Sequence, residues 1–478
     1  MSNSALLRLA ACFGFALLLP VSAVAAIAAP ATLRVDIIHS GDAKSESYAL
    51  ERVVVEPLPW PGLLTRSLDD TDRGVNRFEV SDPKTGKVSY SRGYNTIFGE
   101  WRSTDEAQTL ARGFEESLRF PMPDHPVRIR IMRRDENNAF TEAWHVEIDP
   151  ASLDVIHELR PAPVKPIAIR TSGDSANKVD LLIIGDGYTA AESGKFEGDV
   201  RRLSDHLFRV SPFKERANDF NVWALSVPTQ ESGISRPSTG TQHPSTLNTR
   251  YDTFGSERYV LTLDNRALRE LAQYAPYEFI EILVNNQTYG GGGIFGEFSS
   301  AAASNDWANY LFVHEFGHHF AGLADEYYTS AVAYASSAAR PEPWEPNITA
   351  LKDPARLKWR QHVKAGTPLP TPWPKAEFEA FELKNQANRV ALRKENRPES
   401  EMSALFTAER DYTNDLFARS PNHDLIGAFE GANYEAKGYY RPAMQCTMFS
   451  RIDSFCQVCQ DAISQIIDLY SRPAPEHH

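Results

Sequence analysis

The residues most able to do chemistry lie in one run, Leu311-Phe-Val-His314-Glu315-Phe-Gly-His318-His319-Phe-Ala-Gly322-Leu-Ala-Asp325-Glu326-Tyr327-Tyr328. His314 and His318 are four residues apart. On an α-helix such residues sit one above the other on a single face, so two imidazoles can reach one ion. Glu315 follows the first of them and lies beside that ion, placed to take a proton from a bound water. Ser304-Asn305-Asp306 offers N-cap residues before Trp307, so the pattern predicts a helix over about 306–320. Gly322 can end it. His319 points about 100° away from His318 and is expected to pack or cap rather than to ligate. An ordinary amphipathic helix with satisfied histidines is the bland alternative, and the acidic residues downstream weigh against it.

A zinc site with an open position needs a third protein ligand. Asp325 lies seven residues past His318, just beyond the glycine. A chain that turns at Gly322 swings it back to the ion, and Glu326 is the second choice. In the metzincin pattern the glycine and the third ligand come earlier, and here each falls one residue later. A methionine turn beneath the metal is the other half of that architecture. Met448 is the candidate and Met444 the alternative. Tyr439, Tyr440 or Arg441, in the same stretch, is placed to reach an oxyanion, and each suits a core or rim position equally well.

The elements that must position these groups form two blocks. Residues 32–150 read as a β-rich domain. Leu33, Val35 and Ile37 alternate with polar residues, as do Val127, Ile129 and Ile131, and then Trp144, Val146 and Ile148. Phe78 and Val80 precede the turn Asp82-Pro-Lys-Thr-Gly86, with Val88 and Tyr90 after it. Short strands with such punctuation suggest a sandwich, interrupted by one helix near 104–118. Residues 151–168 read as a linker around Pro161-Ala-Pro-Val-Lys-Pro166.

Residues 169–478 then open as β-α-β. A buried strand over 179–184 leads through the tight turn Gly185-Asp186-Gly187 to a helix over about 190–208 and a strand over 220–227. That turn lacks the spacing of either phosphate-binding glycine motif. A helix over 263–274 and a strand over 279–284 follow. Next come Tyr289, Gly290, Gly291, Gly292 and Gly293, which suit either an edge strand that a substrate chain pairs with or, equally, a mobile surface loop. Residues 330–425 read as irregular, apart from a charged helix over 375–396 that ends before Pro398. A last helix spans about 456–469. The expected class is therefore α+β, a sandwich-like front domain followed by a mixed sheet with an active-site helix.

The chain has 478 residues, 42% hydrophobic and 24% charged, enough for two or three domains. Its net charge of -13 argues against a nucleic-acid surface and a polybasic membrane patch. Residues 1–25 read as a secretory leader, with Arg8, an apolar run and Ala23-Val24-Ala25 as a small-x-small cleavage site. The expected location is periplasmic or extracellular. Leu9-Ala-Ala-Cys12 resembles a lipobox, but Arg8 interrupts the few apolar residues before it, which argues against a lipid anchor. No other stretch is long and apolar enough for an integral membrane span. Cys446, Cys456 and Cys459 cluster near the C-terminus. In an oxidising compartment two are expected to pair and one to remain. A Cys-rich zinc site is the rival, weakened because no fourth ligand lies nearby in sequence. Acidic loops are present for calcium, without a spacing that supports a site.

Taken together, the chain resembles the IgA-specific metalloendopeptidase family of secreted bacterial, metzincin-like zinc peptidases. The matching segments are Leu182-Ile-Ile-Gly-Asp-Gly-Tyr-Thr189, the glycines after Tyr289, His314-Glu-Phe-Gly-His318 with Leu323-Ala-Asp-Glu-Tyr327, and Tyr440-Arg-Pro442 leading to Cys446-Thr-Met448. Val53-Val-Val-Glu-Pro-Leu-Pro-Trp60 is similar to that family's N-terminal domain. The resemblance implies a zinc endopeptidase acting on a protein or glycoprotein, with His314 and His318 as ligands and Glu315 as acid and base. It does not fix the substrate. Two rivals are a degenerate zincin that binds glycans at a cell surface, and a zinc hydrolase of a non-protein bond. Intact Glu315 counts against the first.

Overall fold

In the computed structural model, which describes residues 29–329 and 340–472, the alternating strands of the front half fold as expected. The expected leader, including Cys12, lies outside the described residues. Strands β1 (Ala31–Gly41), β2 (Glu46–Pro59), β3 (Asn76–Ser81) and β4 (Val88–Tyr94) precede a short helix, α1 (Ile97–Arg102). Strands β5 (Arg112–Pro121), β6 (Val127–Arg134), β7 (Phe140–Ile148) and β8 (Ile156–His157) follow. They make two four-stranded sheets, ordered β5-β1-β2-β8 and β4-β3-β6-β7. The inward residues of both sheets share one core, with Leu33, Val35 and Val53 from one and Phe78, Ile129 and Ile131 from the other. Period-two alternation thus yields a sandwich.

One expectation here is corrected. Residues 104–118 are not a helix. The helix is α1, just ahead, capped by the Thr96 side chain accepting from Gly99 N. Residues 112–121 are a strand because Phe114, Leu118 and Phe120 alternate inward and pair with β1. The even-numbered residues of β5 carry the signal that a helical reading overlooks.

The second half is built on a six-stranded mixed sheet. Its elements are β9 (Ile167–Arg170), β10 (Val179–Asp186), α2 (Ser193–Leu207), β11 (Phe220–Ser226), α3 (Asn265–Ala272), β12 (Phe279–Val284), β13 (Gly291–Ile294), β14 (Phe298–Ala302) and α4 (Ala308–Ala321). The strand order is β13-β14-β12-β10-β11-β9. β14, β12, β10 and β11 run parallel, and the two edges are antiparallel. β10 is buried along its whole length, as a strand covered on both faces must be. Asp186, the last residue of β10, accepts from Ser245 Oγ and from the amides of Leu247 and Thr249, so the strand end ties down a loop.

The remaining helices are α5 (Lys375–Lys394), α6 (Glu399–Ala418) and α7 (Gln457–Ser471), with a hairpin of β15 (Phe429–Ala432) and β16 (Glu435–Arg441) between α6 and α7. The expected irregular tract therefore holds a second helix. Pro398 ends α5 and also opens α6, since a proline costs nothing where no helical N–H bond is due.

The two halves are joined through buried contacts. Ile97, Phe98 and Trp101 belong to the same core as Val179 and Leu181. Arg73, 3% exposed, donates to Ala321 O at the end of α4 and to Ala462 O in α7, both at 2.9 Å, and to Gln465 Oε1 at 2.7 Å. It is a front-half residue that caps the helix carrying the histidines. His319 anchors that helix from the other face. It accepts from Ile280 N at 3.1 Å through Nε2 and donates to Ile294 O at 3.1 Å through Nδ1. Burial pushes its imidazole down to about 3. The sequence expectation that His319 packs rather than ligates matches this placement.

Replacing Arg73 with Ala strands buried carbonyls on both α4 and α7, and should cost about 2–4 kcal/mol in denaturant unfolding. A loss under about 0.5 kcal/mol would show that the halves are held by apolar contact alone. His319 has a depressed folded value, so its contribution is complete above its unfolded value of about 6.5 and is lost as pH falls toward about 3. His319→Gln should remove that part of the acid sensitivity. A melting-temperature difference between wild type and variant that stays constant from neutral to acid pH would contradict it.

Candidate active site

The run that opens the chemistry folds into α4. Its N-cap position is Trp307, which makes no side-chain cap bond, rather than one of the expected residues 304–306; Asn305 forms the turn ahead of it, with Oδ1 accepting from Trp307 N at 2.8 Å and its carbonyl accepting from Ala308 N at 3.0 Å. Gly322 ends it in the left-handed region, φ 61°, where a side chain would be strained. Helical spacing then brings His314 and His318 together, with Nε2 to Nε2 at 3.2 Å.

Each imidazole is oriented from behind. His314 Nδ1 lies 3.0 Å from Thr447 O, and His318 Nδ1 lies 2.6 Å from Leu323 O. A main-chain carbonyl can only accept, so each Nδ1 carries the proton and each Nε2 faces the centre. The Tyr310 hydroxyl sits against both His314 Nδ1 and Thr447 O at 3.2 Å.

Asp325 completes the group. Its Oδ1 is 3.1 Å from His314 Nε2 and 3.2 Å from His318 Nε2. Burial opposes the charge on both partners. Even so, the imidazoles hold Asp325 well below the usual carboxylate range, and Asp325 lifts His318 to about 9. The three atoms form a nearly equilateral triangle with sides of 3.1–3.2 Å. Ligand atoms about 2.0 Å from a tetrahedral ion stand about 3.3 Å apart. The donor set and its spacing fit a divalent ion such as zinc, with one position left open.

The choice between Asp325 and Glu326 follows from how the chain leaves the helix. Beyond Gly322 the backbone is extended, and successive side chains point opposite ways. Asn347 fixes this segment. Its Oδ1 accepts from Ala324 N at 2.8 Å and its Nδ2 donates to Ala324 O at 2.9 Å. Asp325 therefore faces the imidazoles, and Glu326 faces the cysteines behind. Tyr434 holds the second oxygen of Asp325 through its hydroxyl. It sits at the tip of the β15–β16 hairpin, where Asn433 and Tyr434 have φ of 52° and 61°. A two-residue turn with both residues left-handed is the tight hairpin type, and a tyrosine there is strained. The tip is pinned by Asn433 N donating to Asp325 O and Tyr434 N donating to Tyr327 O.

Glu315 and the triangle line one cleft of about 600 Å³. Burial raises the Glu315 carboxyl, against the pull of His314 and His318. The front half reaches this cleft through Gly99 and Glu100 of α1. Tyr327, also lining it, lies parallel to the His314 ring and accepts from Arg258 Nη2 at 3.0 Å.

Met448 lies where a methionine turn is expected, its sulfur 3.1 Å from the Cβ position of Gly317 on α4. Its carbonyl accepts from Glu326 N at 2.8 Å. Met444 instead joins a separate aromatic cluster. Three expectations are corrected. Arg441 is fully buried, stacked on Phe449 and Trp373 and donating to Gly431 O. Tyr440 pairs its backbone with Thr349. Neither lines the cleft, although Tyr439 of the same strand does.

The glycine edge is also shorter than expected. Tyr289 N donates to Glu399 and Gly290 O accepts from Ala302 N, so both are engaged before β13 begins. Gly291 is tied to Arg258 O and Val260 N. Gly293 must be glycine, because a Cβ there would meet Glu315 O at 2.3 Å. The third correction concerns the cysteines. Cys446, Cys456 and Cys459 are all free and buried, not paired.

Sequence reasoning missed Asn347 and Tyr434. The only local signal for the latter was an Asn-Tyr turn after Gly431-Ala432.

Residues 167–467 match the family described as IgA Peptidase M64, and residues 25–145 match that described as Peptidase M64 N-terminus. Among curated proteins, none matches the chain. The first match alone spans more than half of the sequence, and it falls on the half that carries α4 and the cleft. The chain belongs to the IgA peptidase M64 family and is a peptidase.

Proposed function

We propose that this peptidase is a secreted, zinc-dependent endopeptidase that cleaves protein substrates. The observation that carries the reading is the triangle of His314 Nε2, His318 Nε2 and Asp325 Oδ1, beside Glu315 in one cleft. A zinc ion held there supplies Lewis-acid polarisation of the scissile carbonyl and lowers the pKa of a water toward about 7.

The chain's own groups do the rest. Glu315 accepts the water's proton and passes it to the leaving amine. Its raised carboxyl suits both directions of transfer. In an antiparallel ladder alternate residues turn their N–H and C=O outward. Gly290 bonds inward to β14, so Gly293 turns its amide toward the cleft and pairs with an extended substrate. Tyr327, beside His314 and held by Arg258, takes the oxyanion role expected of Tyr440 or Arg441. Residues 1–25 serve as the leader, 32–150 as the front domain, 151–168 as the linker and 169–478 as the catalytic domain. Among the described residues no helix is long and apolar enough to cross a membrane.

Glu315→Gln should retain zinc and lose about 10²–10⁴-fold in kcat against a mixed peptide library. Turnover within a few-fold of wild type would sink the assignment of Glu315. Tyr434→Phe leaves Asp325 without its second hold, and should weaken zinc binding by about 10–100-fold in chelator competition. Unchanged affinity would mean that the hairpin tip does not position Asp325.

A further inference from the structure

Behind the catalytic triangle lies a second cluster that the peptidase chemistry does not use. Glu326, Cys446, Cys456 and Cys459 bring one ligand atom each to within 4.8 Å of one another. They come from three segments separated by up to 133 positions in the chain. All four are buried, Glu326, Cys446 and Cys459 completely. We propose that this cluster is a structural zinc site, with three thiolates and the Glu326 carboxylate as ligands.

The distances carry the argument. Cys446 Sγ and Cys459 Sγ are 3.7 Å apart, and Cys459 Sγ is 3.5 Å from Glu326 Oε1. Zinc–sulfur bonds of about 2.3 Å and zinc–oxygen bonds of about 2.0 Å give tetrahedral edges of about 3.8 Å and about 3.5 Å. A disulfide needs its sulfurs about 2.05 Å apart. Glu326 Oε2, fully buried, has no hydrogen-bond partner among the described residues, although Oε1 accepts from Asn347. A buried carboxylate with an open oxygen beside three thiols needs a cation or a proton.

The surroundings suit a thiolate cluster. Cys456 is the N-cap of α7 and Cys459 lies in its first turn, so Cys456-x-x-Cys459 has the spacing of a zinc knuckle at a positive helix end. Cys446 Sγ accepts from Cys456 N at 3.3 Å. Burial lowers two guanidiniums nearby, Arg441 against the attraction of Tyr328, Glu326 and Cys446, and Arg73 against that of Asp69 and Cys459. Binding replaces the ligand protons with the metal, and those protons leave to solvent.

The site's position explains its use. Glu326 is next to Asp325, and Cys446 is two residues from Met448, whose carbonyl holds Glu326 N. One ion would therefore fasten the third catalytic ligand, the methionine turn and α7 to each other.

The test is metal content of the purified full chain, with cobalt exchange. Wild type should hold about two zinc ions per chain, and Cys456→Ser/Cys459→Ser about one. His314→Ala/His318→Ala should keep the cysteine-bound ion alone. After exchange, that variant should show the strong thiolate-to-cobalt charge-transfer band in the near ultraviolet. If the cysteine variant does not fold, the histidine variant decides the matter. Absence of both metal and charge-transfer band in it would overturn the proposal, as would a disulfide found by alkylation of unreduced, unfolded protein. Failure of the catalytic reading looks different. Zinc content would then be unchanged in the histidine variant and still fall in the cysteine variant.

Discussion

His314 and His318 each turn Nδ1 toward a main-chain carbonyl, Thr447 O and Leu323 O, and so present Nε2 to each other and to Asp325. Those two hydrogen bonds tie the site to the rest of the fold. Thr447 belongs to the loop that carries Met448. Leu323 belongs to the extended segment that carries Asp325. The imidazoles cannot rotate out of register without leaving a buried carbonyl unpaired, which costs about 1–3 kcal/mol each. The geometry of the triangle is therefore set by main-chain atoms rather than by soft side-chain torsions.

The segment after Gly322 has two faces. Extended backbone sends Asp325 one way and Glu326 the other, and the Asn347 clamp on Ala324 keeps that phase. A slip of one residue would exchange the two carboxylates between two polar clusters. The front half contributes to the same rigidity. Arg73 caps α4 from outside the peptidase sheet, and α1 supplies part of the cleft wall. The β-sandwich is thus part of the site's framework rather than an appended module.

Local pattern made much of this legible in the sequence. Four-residue spacing identified the helix and its two imidazoles, and strict alternation identified the sandwich strands. The glycine after His319 marked the place where the chain must turn. What stayed hidden depends on distant residues. Tyr434 reaches Asp325 across 109 positions, and Cys459 reaches Glu326 across 133, so neither pairing has a local signature. The spacing of the cysteines suggests a disulfide, because Glu326, which lies against Cys459, sits far away in the chain. Tyr440 and Arg441 looked catalytic because they are polar residues near Met448. Arg441 is instead held between aromatic rings, where a delocalised cation packs well. Pro398 signals a stop in the sequence, although the same residue type also starts helices.

The central claim is that His314, His318 and Asp325 together hold one catalytic ion. Anomalous diffraction at the zinc edge from crystals of the mature protein tests it most directly. The account predicts a peak about 2.0–2.2 Å from His314 Nε2, His318 Nε2 and Asp325 Oδ1 at once. A peak bound by the imidazoles but not by Asp325, or no peak at this triangle in zinc-replete crystals, would contradict it.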